Sequence, residues 1–381
     1  MKKVSLFTLS FLLFAGFAFI APFMVLYYQR LGFSGTEIGL LAGLAPLVTL
    51  FSAPLWTGLA DATRRHRLLM SLTLLGGALA VFSFSLFNTF AVILVITLLF
   101  SACYAPVSSF ADSATLFMLA DEKEMYGRVR LGGTIGFGIA APVAGVIVQN
   151  YGLGIAFRGC AILLLLAFVV SQNLVYSQSK TGASTREGMR ALLTNRRWLL
   201  FLTLAFAGGV AIAATNTYLF AYLKELGAPE ATMGLTLTVG TFSEIPVFFF
   251  GDRLLRWLKP QGLLMLAMVS TGLRLLLFGL AATPNIILWL QLFNGLTFPA
   301  MWVAGVAYAD ENAPAGLSTT AQGLFGAMVF GFGSAVGGFV GGPILENRGG
   351  HSLYLIFGAV VLAAVALVTL IQHHLPVEAT S

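Results

Sequence analysis

Stretches of about twenty apolar residues recur along the whole of this sequence, separated by short polar intervals, and few folds other than a bundle of membrane-spanning helices can use them. A helix rises about 1.5 Å per residue, so roughly twenty residues cross a hydrocarbon core about 30 Å thick. Such runs lie near 6–27, 36–58, 68–87, 90–111, 131–149, 154–175, 198–222, 232–250, 262–282, 285–308, 318–344 and 352–372. Only 9% of the 381 residues are charged, against roughly 25% in soluble proteins. The predicted fold class is therefore an all-α integral membrane protein with twelve transmembrane helices. The first run follows Lys2 and Lys3 as a signal peptide would. It continues into Tyr27-Tyr28-Gln29-Arg30 without a small-residue cleavage site, and so reads as a helix. Cys103 and Cys160 lie inside apolar runs and read as small packed side chains.

Basic residues report orientation. With the N-terminus cytoplasmic, only Arg30, Lys224 and Arg348 of the 21 Lys and Arg residues fall in outside loops, and Arg158 and Arg274 fall within spans. The rest lie inside, which predicts that both termini are cytoplasmic. The longest polar interval, from Ser177 to Arg196, follows the sixth span and divides the chain into a first bundle at 1–175, a central cytoplasmic loop at 176–197 and a second bundle at 198–381. Short matches recur across it at one offset of 195: Leu31-Gly32 with Leu226-Gly227, Gly39 with Gly234, Leu68-Leu69-Met70 with Leu263-Leu264-Met265, and Gly136-Phe137-Gly138 with Gly331-Phe332-Gly333. Four matches at one offset predict two pseudo-symmetric six-helix bundles. Such bundles can rock about a central site and expose it to one side at a time.

The glycine runs Gly132–Gly145 and Gly326–Gly342 suit close helix packing in lipid. No strand pattern precedes them and no Lys-Ser/Thr follows, which excludes a phosphate loop. Neither HExxH nor GxSxG occurs, and His66, His351, His373 and His374 fall in loops or near the C-terminus. The run Asp121 to Glu124 reads as a solvated connection. These observations argue against an enzyme, a cofactor or metal site and nucleic-acid binding, and no pore-lining signature suggests a channel.

Ionisable side chains at membrane depth are expensive and mark function. Asp112 ends the fourth span, Arg128 and Arg130 open the fifth, Glu244 interrupts the eighth and Arg274 sits mid-ninth. Asp112 and Arg130 also suit ordinary charges at the cytoplasmic interface, and Glu244 and Arg274 suit a structural ion pair. A carboxylate whose pairing changes with conformation could load and release a proton. Asn216, Tyr218, Gln291, Asn294 and Gln322 offer either interhelical hydrogen bonds or solute contacts, and Tyr27, Tyr28, Trp289, Phe298 and Trp302 offer rings on which a solute could stack.

Several motifs resemble the major facilitator superfamily, in the branch of the lactose permease, the phenylpropionate permease and the nucleoside–proton symporters. "GLADATRRHR" after the second span is similar to the superfamily's loop motif, with Asp61 and Arg65 in the matching places and Gly58 one position late. That resemblance implies gating roles for Asp61 and Arg65. "YGRVRLGGTIGFG" from Tyr126 resembles the permease stretch "FGRAR" and its following glycines, and "QLFNGLTFPAMW" and "AQGLFG" resemble the phenylpropionate and nucleoside branch. The resemblance implies solute binding by Asp112, Arg130, Glu244 and Arg274, joined by the polar Asn216 and Asn294. Asn294 stands where the family carries a tenth-helix histidine, and Thr297 where lactose permease has its proton-carrying glutamate, so proton coupling would fall to Glu244 or Asp112. The expectation is a monomeric, lipid-embedded transporter in a bacterial inner membrane, taking up a sugar, nucleoside or aromatic acid with protons by alternating access. A proton-driven exporter of drugs or metabolites and a non-transporting solute sensor are the alternatives.

Overall fold

The computed structural model describes residues 2–119, 125–176, 194–313 and 317–373. The acidic run 121–124 and most of the expected central loop, 177–193, lie outside them. Every regular element among the described residues is helical. Following the chain, α1 covers 2–30, α2 Gly35–Thr63, α3 His66–Ser83, α4 Phe90–Leu119, α5 Tyr126–Tyr151, α6 Gly154–Ser171, α7 196–225, α8 Glu230–Phe249, α9 Gly251–Gly279, α10 Pro284–Glu311, α11 318–348 and α12 350–373. Helices α11 and α12 run together without a loop. They part at Gly349, whose φ of 74° lies in the left-handed region open to glycine. Large apolar side chains face outward, among them Leu79, Leu165, Leu277 and Leu367, as a chain dissolved in lipid requires. Helices α1 and α7 are the most enclosed, with 67% and 78% of their most apolar stretch buried.

The repeat read from the sequence has a physical basis in helix endings. At the end of α1, Leu31 N–H donates to Tyr27 O, Gly32 N–H to Gln29 O and Phe33 N–H to Tyr28 O. At the end of α7, Leu226, Gly227 and Ala228 donate to Tyr222, Lys224 and Leu223, the same pattern 195 residues later. Gly32 and Gly227 supply the left-handed residue that such a cap needs, with φ of 78° and 81°. Each turn is tied to the neighbouring helix by a tyrosine. Tyr27 donates to Phe84 O at 2.5 Å and Phe87 O at 3.1 Å, beyond the end of α3. Tyr222 donates to Phe278 O at 2.7 Å and Ala281 O at 3.4 Å, at the end of α9. Loss of the Tyr27 hydroxyl takes a donor from Phe84 O and Phe87 O, and loss of the Tyr222 hydroxyl takes one from Ala281 O while Phe278 O keeps the Ala281 N–H, so Tyr27→Phe and Tyr222→Phe are each expected to cost about 1–3 kcal/mol. Thermal unfolding in detergent should show similar drops for the two variants.

The glycine-rich faces are packing surfaces. A Cβ on Gly136 would meet Phe11 O at 2.4 Å, and one on Gly333 would meet Phe206 O at 2.4 Å, so α1 seats on α5 as α7 seats on α11. Phe11 and Phe206 keep the 195 register, whereas Gly333 has slipped by two residues within a stretch of α11, Ala327–Gly333, that is wound as a π-helix.

Two seams join the halves, α2 along α11 and α5 along α8. Both are tight at one end. A Cβ on Gly35 would lie 2.5 Å from Gly342 O, one on Gly39 2.6 Å from Phe339 O, one on Gly145 2.4 Å from Glu230 O and one on Gly234 2.5 Å from Ala141 O. At the other end of the same helices, a Cβ on Gly58 of α2 or Gly323 of α11 would meet nothing within 4 Å, and Phe51 and Leu55 of α2 are exposed. The molecule is thus closed between its halves at the end bearing the turns at 31–34 and 226–229, and open at the end bearing Arg64 and Arg65.

Candidate functional site

Among the described residues the most confined charge is Arg274, in the middle of α9 and 5% exposed. Burying a guanidinium is tolerable only when its N–H groups find acceptors, and here neutral groups provide them. Its Nη1 donates to Asn294 Oδ1 at 2.7 Å and Thr297 Oγ1 at 3.0 Å, its Nη2 donates to Gln291 Oε1, and the group lies 4.9 Å from the centre of the Phe278 ring. Its Nε is buried with no hydrogen-bond partner among the described residues.

All three acceptors come from one irregular stretch. Helix α10 begins at Pro284, winds as a 3₁₀ helix over Gln291–Leu296, breaks at Thr297 (φ −105°, ψ −96°) and restarts at Phe298-Pro299. Proline in the second position of the restarted helix withholds a backbone N–H that would have no intrahelical partner there. The break turns Gln291, Asn294 and Thr297 onto the face that meets α9. Discontinuous helices of this kind form the sites of membrane carriers because their freed polar groups face protein and cavity, away from lipid. The fourth helix is interrupted at the corresponding place, with Ala105 and Pro106 between Phe90–Tyr104 and Val107–Leu119.

Glu244 enters from α8. Its Oε1 accepts from Asn294 Nδ2 at 2.7 Å, so the carboxylate and Arg274 do not touch directly. Asn294 stands between them, giving its amide N–H to the acid and its carbonyl to the base. In place of the structural ion pair that was the alternative reading of these two charges stands a three-residue chain, Glu244–Asn294–Arg274. In the other half, Asp112 of α4 lies within electrostatic reach of Arg130 and Tyr126 of α5, and the Arg130 guanidinium sits 4.6 Å from the centre of the Phe14 ring on α1. Asp112 and Arg130 do not close to an ion pair among the described residues.

The two groups sit on either side of the α5–α8 seam. These helices run antiparallel, with Thr238 Oγ1 donating to Gly138 O at 3.0 Å and Gly138 facing Thr241 and Phe242. Extending that register places Glu244 opposite about residue 134, roughly one helical turn from Arg130. Within the C-terminal half, Arg274, Asn294 and Thr297 border a cavity of only about 20 Å³ between α7, α9 and α10. That is room for about one water-sized group.

A family model described as the MFS_1 like family matches residues 4–356. The chain belongs to this family. Among its relatives, this MFS_1-like protein is 30% identical over 371 residues to the maltose permease of Geobacillus stearothermophilus, covering 95% of this chain and 92% of that one. It is 26% identical over 397 residues to a putative nucleoside transporter, YegT, of Escherichia coli, covering 95% and 92%. Among solved structures, the nucleoside transporter NupG superposes with a TM-score of 0.87 at 20% identity, over 98% of this chain and 99% of that one. The resemblance to the major facilitator superfamily thus holds across the chain, and with it the twelve-helix fold in two pseudo-symmetric halves.

Other residues nominated from the sequence of this MFS_1-like chain fall outside the cluster. Asn216 is exposed near the break in α7. Tyr218 is fully buried and donates to Gly338 O at 2.5 Å, while Tyr27 and Tyr28 are buried ties within the first half. Gln322 donates to Ser318 Oγ at 3.2 Å. Phe298 and Trp302 form an aromatic cluster with Phe325 and Phe330. In the loop motif, Asp61 Oδ1 lies 2.8 Å from Nε2 of His66, whose ring stacks on Tyr176 with centroids 5.5 Å apart. Arg65 is exposed and makes no ion pair among the described residues. Sequence reasoning placed His66 in a loop without a role. It also offered no reason to join Gln291 and Thr297 to Arg274. The available signal was the pair of proline-interrupted spans, Pro106 in one half and Pro299 in the other, which mark corresponding breaks.

Proposed function

We propose that this secondary transporter of a small solute is a proton-coupled importer, with Glu244 as the proton carrier and Asn294 as the relay to Arg274. The observation that carries this reading is the Glu244–Asn294–Arg274 chain. An ionised Glu244 accepts the Asn294 amide N–H and leaves the Asn294 carbonyl for Arg274. A protonated carboxyl group becomes a donor, and an amide meets a donor with its carbonyl. Rotation of the Asn294 amide then withdraws an acceptor from Arg274 and frees an N–H for a solute hydroxyl or carboxylate. Proton binding and solute binding are thereby favoured together. Asp112 and Arg130 supply the facing contacts across the seam.

In this reading the halves 1–175 and 198–381 move as two units, with Asp61 and Arg65 at the gate between them. The excess of Lys and Arg in the loops at the open end supports a cytoplasmic assignment for that end and for both termini, so the state described above is open inward. A sugar or nucleoside as solute agrees with the relatives' descriptions as a maltose permease and a putative nucleoside transporter; a bacterial inner membrane and a monomeric unit belong to the same reading.

Reconstitution into liposomes with an imposed pH gradient, acid outside, tests this. Maltose, nucleosides and aromatic acids are offered in turn. One class is expected to accumulate, and a protonophore should collapse the accumulation. Uptake indifferent to the gradient would overturn proton coupling, and acid-driven expulsion of a preloaded solute would reassign the protein as an exporter.

A further inference from the structure

At the open end of the C-terminal half, Arg197 of α7, Lys259 and Gln261 of α9, Tyr308 and Glu311 of α10 and Gln372 of α12 line a cavity of about 410 Å³. That volume is within the usual range of roughly 300–1,000 Å³ for small-molecule sites. It lies about three to four helical turns along α9 and α10 from Arg274 and Thr297. Two cations and a phenol face it with one carboxylate, Glu311. Gln261 Nε2 donates to Gln372 Oε1 at 3.0 Å, holding α9 to α12 beside it.

The segment leading to this cavity has the character of an interfacial helix. Residues 251–258 precede the bend at Lys259, whose φ of 57° and ψ of 162° interrupt α9. Arg253 and Arg256 are exposed on this segment, accompanied by Asp252. Phe249 and Trp257 are 79% and 81% exposed, Phe250 is 42% exposed, and the Arg253 guanidinium lies 5.2 Å from the centre of the Phe250 ring. Aromatic rings beside basic side chains at the end of a span mark the headgroup level of a membrane. Trp257 stands two residues before Lys259, so the outward aromatic surface adjoins the inward basic lining.

We propose that this cavity binds the phosphate of an anionic phospholipid, with Arg197 and Lys259 holding the phosphodiester and the acyl chains lying along the outer surface at Trp257. Basic pockets between spans recognise acidic headgroups in this way. Glu311 tempers the affinity and disfavours a second negative charge. The choice of leaflet rests on the orientation proposed above, whereas the binding itself does not.

Lipid nanodiscs provide the test. The full chain is placed in phosphatidylcholine containing a fixed fraction of either phosphatidylglycerol or phosphatidylcholine with brominated acyl chains, and the emission of Trp257 is obtained as the difference from Trp257→Phe. Brominated phosphatidylglycerol is expected to quench this emission several-fold more effectively than the brominated neutral lipid. The preference should fall to near unity when Arg197→Gln and Lys259→Gln are combined, and rise in Glu311→Gln. Equal quenching by the two lipids, or a preference unchanged in the double variant, would overturn the proposal, as would a decrease in Glu311→Gln. Millimolar soluble glycerol phosphate should leave the preference intact. Its loss would reassign the cavity to a soluble phosphate ester and overturn the lipid assignment.

Discussion

Liposomes carrying Glu244→Gln are expected to equilibrate the solute across the membrane and to fail to concentrate it. Each unit of pH difference is worth about 1.4 kcal/mol per proton carried, or roughly tenfold accumulation for one-to-one coupling. The variant should therefore fall from about tenfold to about onefold under a gradient of one unit, while exchange of labelled for unlabelled solute persists. The substitution isolates chemistry from structure. A glutamine at this position keeps an oxygen for the Asn294 amide, which Glu244 accepts at 2.7 Å, so the link from α8 to α10 survives. The lost property is the ability to change between acceptor and donor by taking a proton. Accumulation equal to that of the unsubstituted protein would remove Glu244 from the coupling step. Asp112, near Arg130 and Tyr126 in the other half, would then be the remaining carboxylate to examine.

Gly342→Val should arrest the transport cycle. A Cβ at this position would lie 2.1 Å from Gly35 O and 2.5 Å from Gly39 N. Both are backbone atoms of α2, which cannot swing aside as the end of a long side chain would. The two helices would have to separate, so the closed end could not form and the protein would be held in states open at that end. Net transport is expected to fall by at least about a hundredfold, since excluding one of two required states by several kcal/mol depopulates it to that degree. A cysteine introduced at Ala42, beside Gly338 in the same seam, reports the arrest directly. In a background lacking Cys103 and Cys160, it should react with an impermeant maleimide from the closed side only when Gly342→Val is present. Gly323→Val is the matched control, because a Cβ there meets nothing within 4 Å in the present state. It should leave Ala42→Cys protected. Labelling that is equal with and without Gly342→Val would mean that α2 and α11 separate without regard to this contact.

The arrangement of spans was legible because each apolar run is long enough to cross a bilayer and each polar interval is short. The duplication was legible at Gly32 and Gly227, where a left-handed cap restricts the residue type, and at the glycines where backbones meet. Glu244 and Arg274 were legible as charges where charge is expensive. A direct ion pair was one reading of them, and the structure inserts Asn294 between the two. No periodicity announces this, since Asn294 is brought to both partners only by the unwinding of α10 between Gln291 and Thr297. The tyrosines mislead for a related reason. Tyr27, Tyr28 and Tyr218 have the rings that a stacking platform needs, yet their hydroxyls bond groups on other helices, two of them helix-end or helix-backbone carbonyls. Those acceptors exist only after neighbouring helices have packed. The pairing of Asp61 with His66 is likewise set by how the chain turns between α2 and α3.

The paired caps at Gly32 and Gly227, with their tyrosine ties, bear on how the molecule can move. Each half ends its first helix with the same backbone fold and anchors it to its third helix in the same way, although the ionisable residues of the halves sit on different helices: Asp112 and Arg130 on the fourth and fifth, Glu244 and Arg274 on the eighth and ninth. The machinery is nearly even-handed while the chemistry is not. Inward-open and outward-open forms built from such interchangeable frames are expected to lie close in free energy, so under the proposed coupling a proton and a solute need supply only a few kcal/mol of preference to decide between them. With Asp112, Arg130, Glu244 and Arg274 in the solute site as proposed, the lopsided placement of charge gives a solute one orientation in both forms.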